Sequence, residues 1–215
     1  SFRQLSNDAT LLEATFPDIQ GRNTRQHQER LSMVDLLYSL GTSHPGAITL
    51  HNYPRFLQMH RRDNGELLDV ASIDILRDRE RGVPRYNQFR QLFHRGPVNS
   101  FEELTDNPAW REEIRRVYNN DINLVDTMVG LYAEPLPPGF GFSDTAFRVF
   151  ILMASRRLKS DRFFTADYTP AVYTQEGLDW VDNNTMSTVL LRHHPELLPY
   201  LSKVSNAFAP WPKAR

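Results

Sequence analysis

Residues 72–93 read SIDILRDRERGVPRYNQFRQLF. Five arginines (Arg77, Arg79, Arg81, Arg85, Arg90) and three acids (Asp74, Asp78, Glu80) stand among Ile73, Ile75, Leu76, Tyr86, Phe89 and Phe93. The run is broken once, at Gly82-Val83-Pro84. Glycine reaches the left-handed conformation that closes a helix, and proline pre-sets the first turn of the next, so the stretch predicts helix, turn, helix. So much guanidinium is either a solvated basic face or an internal scaffold. Asp74 and Asp78 fall three or four residues from Arg77 and Arg81, which lets acids and bases interleave on one helix. A buried guanidinium needs such partners, and a nucleic-acid-binding face would lack them. A structural network is therefore expected, with at least two of Arg77, Arg79 and Arg81 partly buried against carboxylates or backbone carbonyls.

The same helical grammar extends to both sides. From Arg25 onward, Leu31, Val34, Leu37 and Tyr38 form an apolar stripe at three-four spacing, with Gly41 where a left-handed cap is expected. Pro45 and Gly46 mark a break, and Pro54 suits a first helical turn. Leu67 to Arg81 reads as one helix stopped by Gly82. Ser100-Phe-Glu-Glu103 has the form of a capping box. Residues 108–119 and 121–132 read as two further helices, EPLPPGFGFS (134–143) as a loop, and Ser143 as the cap of a helix through Leu158. Thr174 or Asp179 opens the next helix, and HHPELLPYL (193–201) closes the pattern. Alternating strand patterns longer than four residues are absent, so an all-α fold forming one unit is expected.

The totals narrow the function classes. With 215 residues the chain can bury one sizeable core. Lys+Arg 25 against Asp+Glu 26 leaves a formal charge of -1, so no bulk field favours nucleic acid or an anionic membrane. Cysteine is absent, which removes disulfides and thiolate metal sites. No apolar run is long enough for a transmembrane segment. His193 and His194 are adjacent and diverge on a helix, so they are poor joint ligands. Glu102-Glu103 and Glu112-Glu113 read as wet helix faces, and Asn183-Asn184-Thr185 matches a glycosylation triplet within helical sequence. No catalytic constellation and no metal site is expected within these residues.

Three segments together resemble the animal-type haem peroxidases, the peroxidase–cyclooxygenase superfamily, on its bacterial, fungal and plant fatty-acid-oxygenase side. Arg77, Asp78, Arg79, Gly82, Pro84, Tyr86, Asn87, Phe89 and Arg90 carry the family's Arg-x-Arg helix–turn–helix pattern. DINLVDTMVGLYAEP (121–135) is similar to its segment ending Gly-x-x-x-Glu-Pro, and FRVFILMASRRLKSDRFF (147–164) to its helix ending Arg-x-x-Asp-Arg-Phe. The resemblance implies a predominantly helical haem-peroxidase-like domain fragment, with residues 1–215 as the C-terminal, proximal-side part of a catalytic domain. It implies haem as cofactor in a full-length parent, a peroxide or fatty acid as substrate, and the upstream part of the same domain as partner.

In that family an axial His binds iron, and a downstream Asn accepts a hydrogen bond from its other ring nitrogen, which raises the ligand's basicity. By order and distance from the arginine motif, TLHNYPRF (49–56) nominates Asn52, and Arg55 as a partner for a haem propionate. Asn52 could also cap the helix beginning at Pro54. The family's axial His sits in a Tyr-x-x-His-Pro segment further upstream. His44-Pro45 copies the dipeptide but lies too close to Asn52, so the axial His is not identified in this chain, and neither are the distal His, its Arg or a radical-forming Tyr. The function implied is that of a haem-dependent peroxidase or fatty-acid dioxygenase, an oxidoreductase, with this chain as inactive proximal scaffold by itself. The alternative is a non-catalytic helical protein-interaction module.

Overall fold

Capping chemistry starts most of the helices. Ser32 Oγ accepts from the Asp35 N–H at 3.1 Å, the Asp69 carboxylate from Ser72 at 3.2 Å, and Asn107 Oδ1 from Ala109 and Trp110 at 3.0 and 3.2 Å. Each bond satisfies a backbone donor that has no intrahelical partner. The computed structural model describes residues 1–14, 17–19, 21–44, 46–62 and 64–214; Pro45 lies outside them. Along the chain come strands β1 (Phe2–Arg3) and β2 (Thr10–Leu12), then helices α1 (Arg22–Gln28) and α2 (Met33–Thr42). Next are α3 (Arg55–Gln58), β3 (His60–Arg61), β4 (Leu67–Leu68), α4 (Val70–Glu80), α5 (Tyr86–Leu92), α6 (Phe101–Leu104), α7 (Pro108–Val117), α8 (Thr127–Ala133) and α9 (Asp144–Ser160). The chain continues with α10 (Pro170–Tyr173), α11 (Gln175–Asp182), α12 (Met186–His193) and α13 (Leu198–Leu201). The two antiparallel strand pairs are two or three residues long. The fold is all-α. No helix among the described residues is long and apolar enough to cross a membrane.

By its own contacts the chain groups into two compact units, Gly46–Ser160 and Ser1–Pro45 with Asp161–Arg215. In the split unit, Tyr38, Leu197, Leu201 and Trp211 form the buried core. The Tyr38 hydroxyl donates to Asp8 at 3.0 Å and accepts from the Ala214 N–H at 2.8 Å, which ties the C-terminal tail to α2. Gly41 is not the left-handed cap expected of it. It lies inside α2, whose cap is Ser43, and a Cβ there would fall 2.1 Å from the Trp211 ring. The glycine is needed for that close approach.

In the continuous unit, Tyr86, Val98, Phe101, Leu104, Ile114, Tyr118, Val125 and Ala133 form the core. Gly82 does close α4, with φ at +72°, and the Val83 N–H reaches the Asp78 carbonyl at 2.9 Å. α4 is shorter than its sequence pattern, because Leu67 and Leu68 pair with His60 and Arg61 as a strand. Ser100 caps α6 through Glu103 N–H, but Glu103 returns its carboxylate to Asn99 N–H at 2.7 Å, so the box is displaced by one residue. Residues 121–132 split into a 3₁₀ turn, Ile122–Leu124, and α8. Between them stands Asp126.

Candidate functional site

The site grows from Asp126, which stands at the N-cap position of α8 without a side-chain capping bond. Its side chain is 6% exposed. Arg79 meets it with a two-point fork, Nε donating at 2.9 Å and Nη2 at 2.5 Å. Arg85 Nη1 donates to the same carboxylate, and the Tyr118 hydroxyl donates at 2.9 Å. Burial pushes the Asp126 pKa up, but the Arg79 and Tyr118 hydrogen bonds and the charges of Arg79 and Arg85 outweigh it and hold the group below its usual range. Burial and the hydrogen bond to Asp126 push the Tyr118 phenol up to about 12. Backbone bonds run beside these pairs: the Tyr86 N–H donates to the Val125 carbonyl at 2.9 Å, and the Thr127 hydroxyl to the Pro84 carbonyl at 2.5 Å.

The far end of α8 repeats the arrangement. Glu134, 10% exposed, accepts from the fully buried Tyr86 hydroxyl at 2.8 Å and pairs with Arg90 at 3.5 Å. Arg90 is 11% exposed and also donates to Tyr86 Oη and Thr145 Oγ1, both at 3.2 Å. Burial, then the Glu134 charge, raises the Tyr86 pKa well above the ordinary phenol value. Gly130 lets the helix approach, since a Cβ there would sit 2.2 Å from the Tyr86 ring. Asn87 is buried, its amide donating to Val98 O and Asn123 Oδ1 at 3.0 Å and accepting from Val98 N at 2.9 Å.

The arginine network therefore exists, but with other partners than the expected ones. Arg77 is 60% exposed, with Asp74 at 3.8 Å, and Arg81 is exposed; neither is held inside. Arg79 keeps 49% of its side-chain exposure while bound to Asp126. The reason is geometric: α4 buries none of its residues, so acids on that helix stand in water beside their arginines. The buried acids come from the second quoted motif. Asp126 and Glu134 were both legible as motif residues, yet nothing local says that arginines 41 to 47 residues away are the partners.

Asn52 and Arg55 lie in the same unit. Asn52 is exposed, and its Nδ2 donates to the Ala47 carbonyl at 2.6 Å. It does not cap α3, which has Pro54 at its cap position and no side-chain cap bond. Its Oδ1 has no hydrogen-bond partner among the described residues. Gly46 makes the turn possible, since a Cβ there would lie 2.3 Å from Asn52 Nδ2. Arg55 is exposed and forms no ion pair among the described residues. The segment before Asn52 is anchored: Ile48 N–H to Gly141 O at 2.9 Å, Leu50 N–H to Tyr132 O at 3.0 Å, and His51 Nε2 to Glu113 at 2.6 Å. His44, in the other unit, lines an apolar cavity of about 450 Å³ with Leu37, Leu40, Met186 and Trp211. Among the described residues no three His, Asp or Glu converge on a metal position.

A helical scaffold that pins one short helix at both ends by buried carboxylates paired with arginines belongs to the class that the arginine motif announced. The chain is a member of the animal haem peroxidase family, whose model matches residues 4–206. It is 41% identical over 212 residues to Alpha-dioxygenase 2 of Arabidopsis thaliana, covering 95% of this chain and 34% of that protein. The crystal structure of the Oryza sativa fatty acid alpha-dioxygenase superposes with a TM-score of 0.86 at 36% identity, over 95% of this chain and 35% of that one. A variant of the same rice enzyme solved with palmitic acid matches equally, with a TM-score of 0.86 at 35% identity, over 97% of this chain and 36% of that one. This chain thus spans about a third of the length of these relatives.

Proposed function

We propose that this chain forms the proximal-side scaffold of a haem-dependent fatty-acid dioxygenase, an oxidoreductase whose substrates are a long-chain fatty acid and dioxygen. The relatives' names support the substrate class, and the family supports the cofactor. The observation that carries the residue-level reading is Asn52: its NH₂ is tied back to Ala47 O at 2.6 Å, and its Oδ1 makes no hydrogen bond among the described residues. That donor set fits the second nitrogen of an axial imidazole, which presents an N–H and needs an acceptor. Arg55, exposed and in no ion pair among the described residues, suits a haem propionate. Haem, when bound, supplies the oxidising power for attack on the fatty acid. Asn52 orients the ligand and increases its basicity, Arg55 holds the cofactor's edge, and the α4–α5–α8 network keeps this side rigid.

The test uses the haem-loaded full-length protein. Oxygen uptake with palmitic acid is expected. Asn52→Ala should retain haem and its Soret absorption but raise the midpoint reduction potential, because a less basic imidazole favours ferric iron less. No oxygen uptake with any fatty acid, or an unchanged potential in Asn52→Ala, overturns the corresponding half of the proposal. The 215-residue chain alone is expected to lack stable axial ligation. A sharp Soret band that survives gel filtration and disappears in His44→Ala or His51→Ala would place the ligand here instead.

A further inference from the structure

We propose that Asn64 is a site of spontaneous covalent modification: it cyclises on the following peptide nitrogen and ages into aspartate and its β-linked isomer. Of all the asparagines in the chain, Asn64 alone precedes a glycine. The pair stands in the turn that joins β3 to β4, where the Arg62 N–H donates to the Glu66 carbonyl at 2.9 Å. Asn64 and Gly65 are both exposed, and Gly65 holds φ at +85°, a conformation that glycine reaches without penalty. A Cβ built on Gly65 would meet nothing within 4 Å among the described residues, so solvent reaches this peptide. Asn64 Oδ1 accepts the Glu66 N–H at 3.1 Å. That bond folds the side chain back over the Asn64–Gly65 peptide and draws electron density away from Cγ. Asn64 Nδ2, the leaving group, has no hydrogen bond among the described residues.

Other asparagines are held where this one is not. Asn183 and Asn184 tie Nδ2 to the Asp179 and Trp180 carbonyls at 2.7 and 2.6 Å, Asn99 Nδ2 is held by Glu103 at 3.1 Å, and Asn87 is buried with both ends of its amide bonded. The restraint at Asn64 is the Gly65 N–H, which donates to the Arg62 carbonyl at 2.9 Å and must be released first. β3 and β4 contribute two residues each, and so short a pair opens readily. Once released, the Gly65 nitrogen gives up its proton and attacks Asn64 Cγ. The N–Cγ bond closes a five-membered imide, Cγ–Nδ2 breaks, and the nitrogen leaves as ammonia, taking up a proton in place of the one that Gly65 lost. Water then opens the imide at either carbonyl, and no electron is exchanged. Opening at one carbonyl gives aspartate; opening at the other routes the main chain through the side-chain carbon. The second product lengthens the turn by one carbon, so the Arg62–Glu66 bond and the Arg61–Leu67 pairing cannot both persist. Asp69, which caps α4, follows β4 directly, so the loosening reaches the start of that helix.

The experiment ages the full-length protein at mildly alkaline and at mildly acid pH and maps its peptides by mass spectrometry. Expected is a growing fraction of the Asn64 peptide that carries OH in place of NH₂, with the β-linked isomer as the larger part. Growth should be faster at alkaline pH, because the attacking nitrogen must lose its proton, while Asn87, Asn99 and Asn183 stay intact. Asn64→Ser keeps an oxygen for the Glu66 N–H and should abolish the change at this position. Hydrogen exchange in the aged protein should rise over residues 60–70 and stay unchanged around Asp126. An Asn64 peptide that stays unaltered at alkaline pH overturns the proposal. So does a product that is aspartate alone, since direct hydrolysis of the side chain does not pass through the Gly65 nitrogen.

Discussion

Arg79 lays its guanidinium on Asp126 across 47 residues of sequence, Nε 2.9 Å from one carboxylate oxygen and Nη2 2.5 Å from the other. The acid is 6% exposed, whereas Arg79 is 49% and Arg85 35% exposed. Removing the acid leaves two arginines that can turn toward water, so the cost should fall below that of a fully buried pair. Asp126→Asn is expected to destabilise the protein by roughly 2–3 kcal/mol in urea unfolding. A change under about 0.5 kcal/mol, the scatter of neutral surface substitutions, would show that the network does not support the fold.

Arg77 and Arg79 lie one turn-half apart on α4 and should behave differently. Arg77 is 60% exposed with its acid at 3.8 Å, so Arg77→Ala should stay within about 0.5 kcal/mol of the parent. Arg79→Ala leaves Asp126 with Arg85 and Tyr118, and should cost about 1–2 kcal/mol. Equal effects at the two positions would contradict the pairing seen here.

Stability should fall on both sides of neutrality. The Asp126 pKa is lowered in the fold relative to an unfolded value of about 4. Its contribution is then complete above that value and is lost as pH falls through it toward the folded pKa. Tyr118 is raised to about 12 from about 10 unfolded, so its contribution is complete below about 10 and is lost between about 10 and 12. Unfolding free energy measured against pH should show both losses, and Asp126→Asn should flatten the acid one.

Two glycines make the same demand on their surroundings. At Gly130 a Cβ meets the Tyr86 ring at 2.2 Å, and Tyr86 is fully buried and bonded to Glu134. At Gly41 a Cβ meets Trp211 at 2.1 Å, and Trp211 is a buried core residue whose N–H donates to the Gly41 carbonyl at 2.8 Å. Gly130→Ala and Gly41→Ala should each cost about 3 kcal/mol, the upper end for overpacking. Thermal melts check both, and a variant within about 0.5 kcal/mol of the parent would contradict the close approach.

Much of the local structure was legible from residues within one helical turn of each other. Gly82 closes α4, and Ser143 and Thr174 cap the helices that follow them. Those bonds span three or four residues, so a donor and its acceptor are visible in one short stretch. Gly41 was misread for the same reason: its partner, Trp211, is 170 positions away, and a close approach leaves the same single letter as a cap.

What the sequence by itself determined is the helical character, several helix starts and stops and the three motifs that place the chain in its family. Hydrophobic period and capping are local properties, and they act before any tertiary contact forms. Only the tertiary structure decided which acid each arginine serves. Asp74 and Asp78 are nearer in sequence, yet α4 buries no residue, and charges left in water gain little from pairing. Asp126 and Glu134 sit at the two ends of a helix packed against Tyr86, where water is excluded and an unpaired carboxylate would be severely destabilising. Burial, which no short stretch of sequence displays, selected Arg79, Arg85 and Arg90 as the partners.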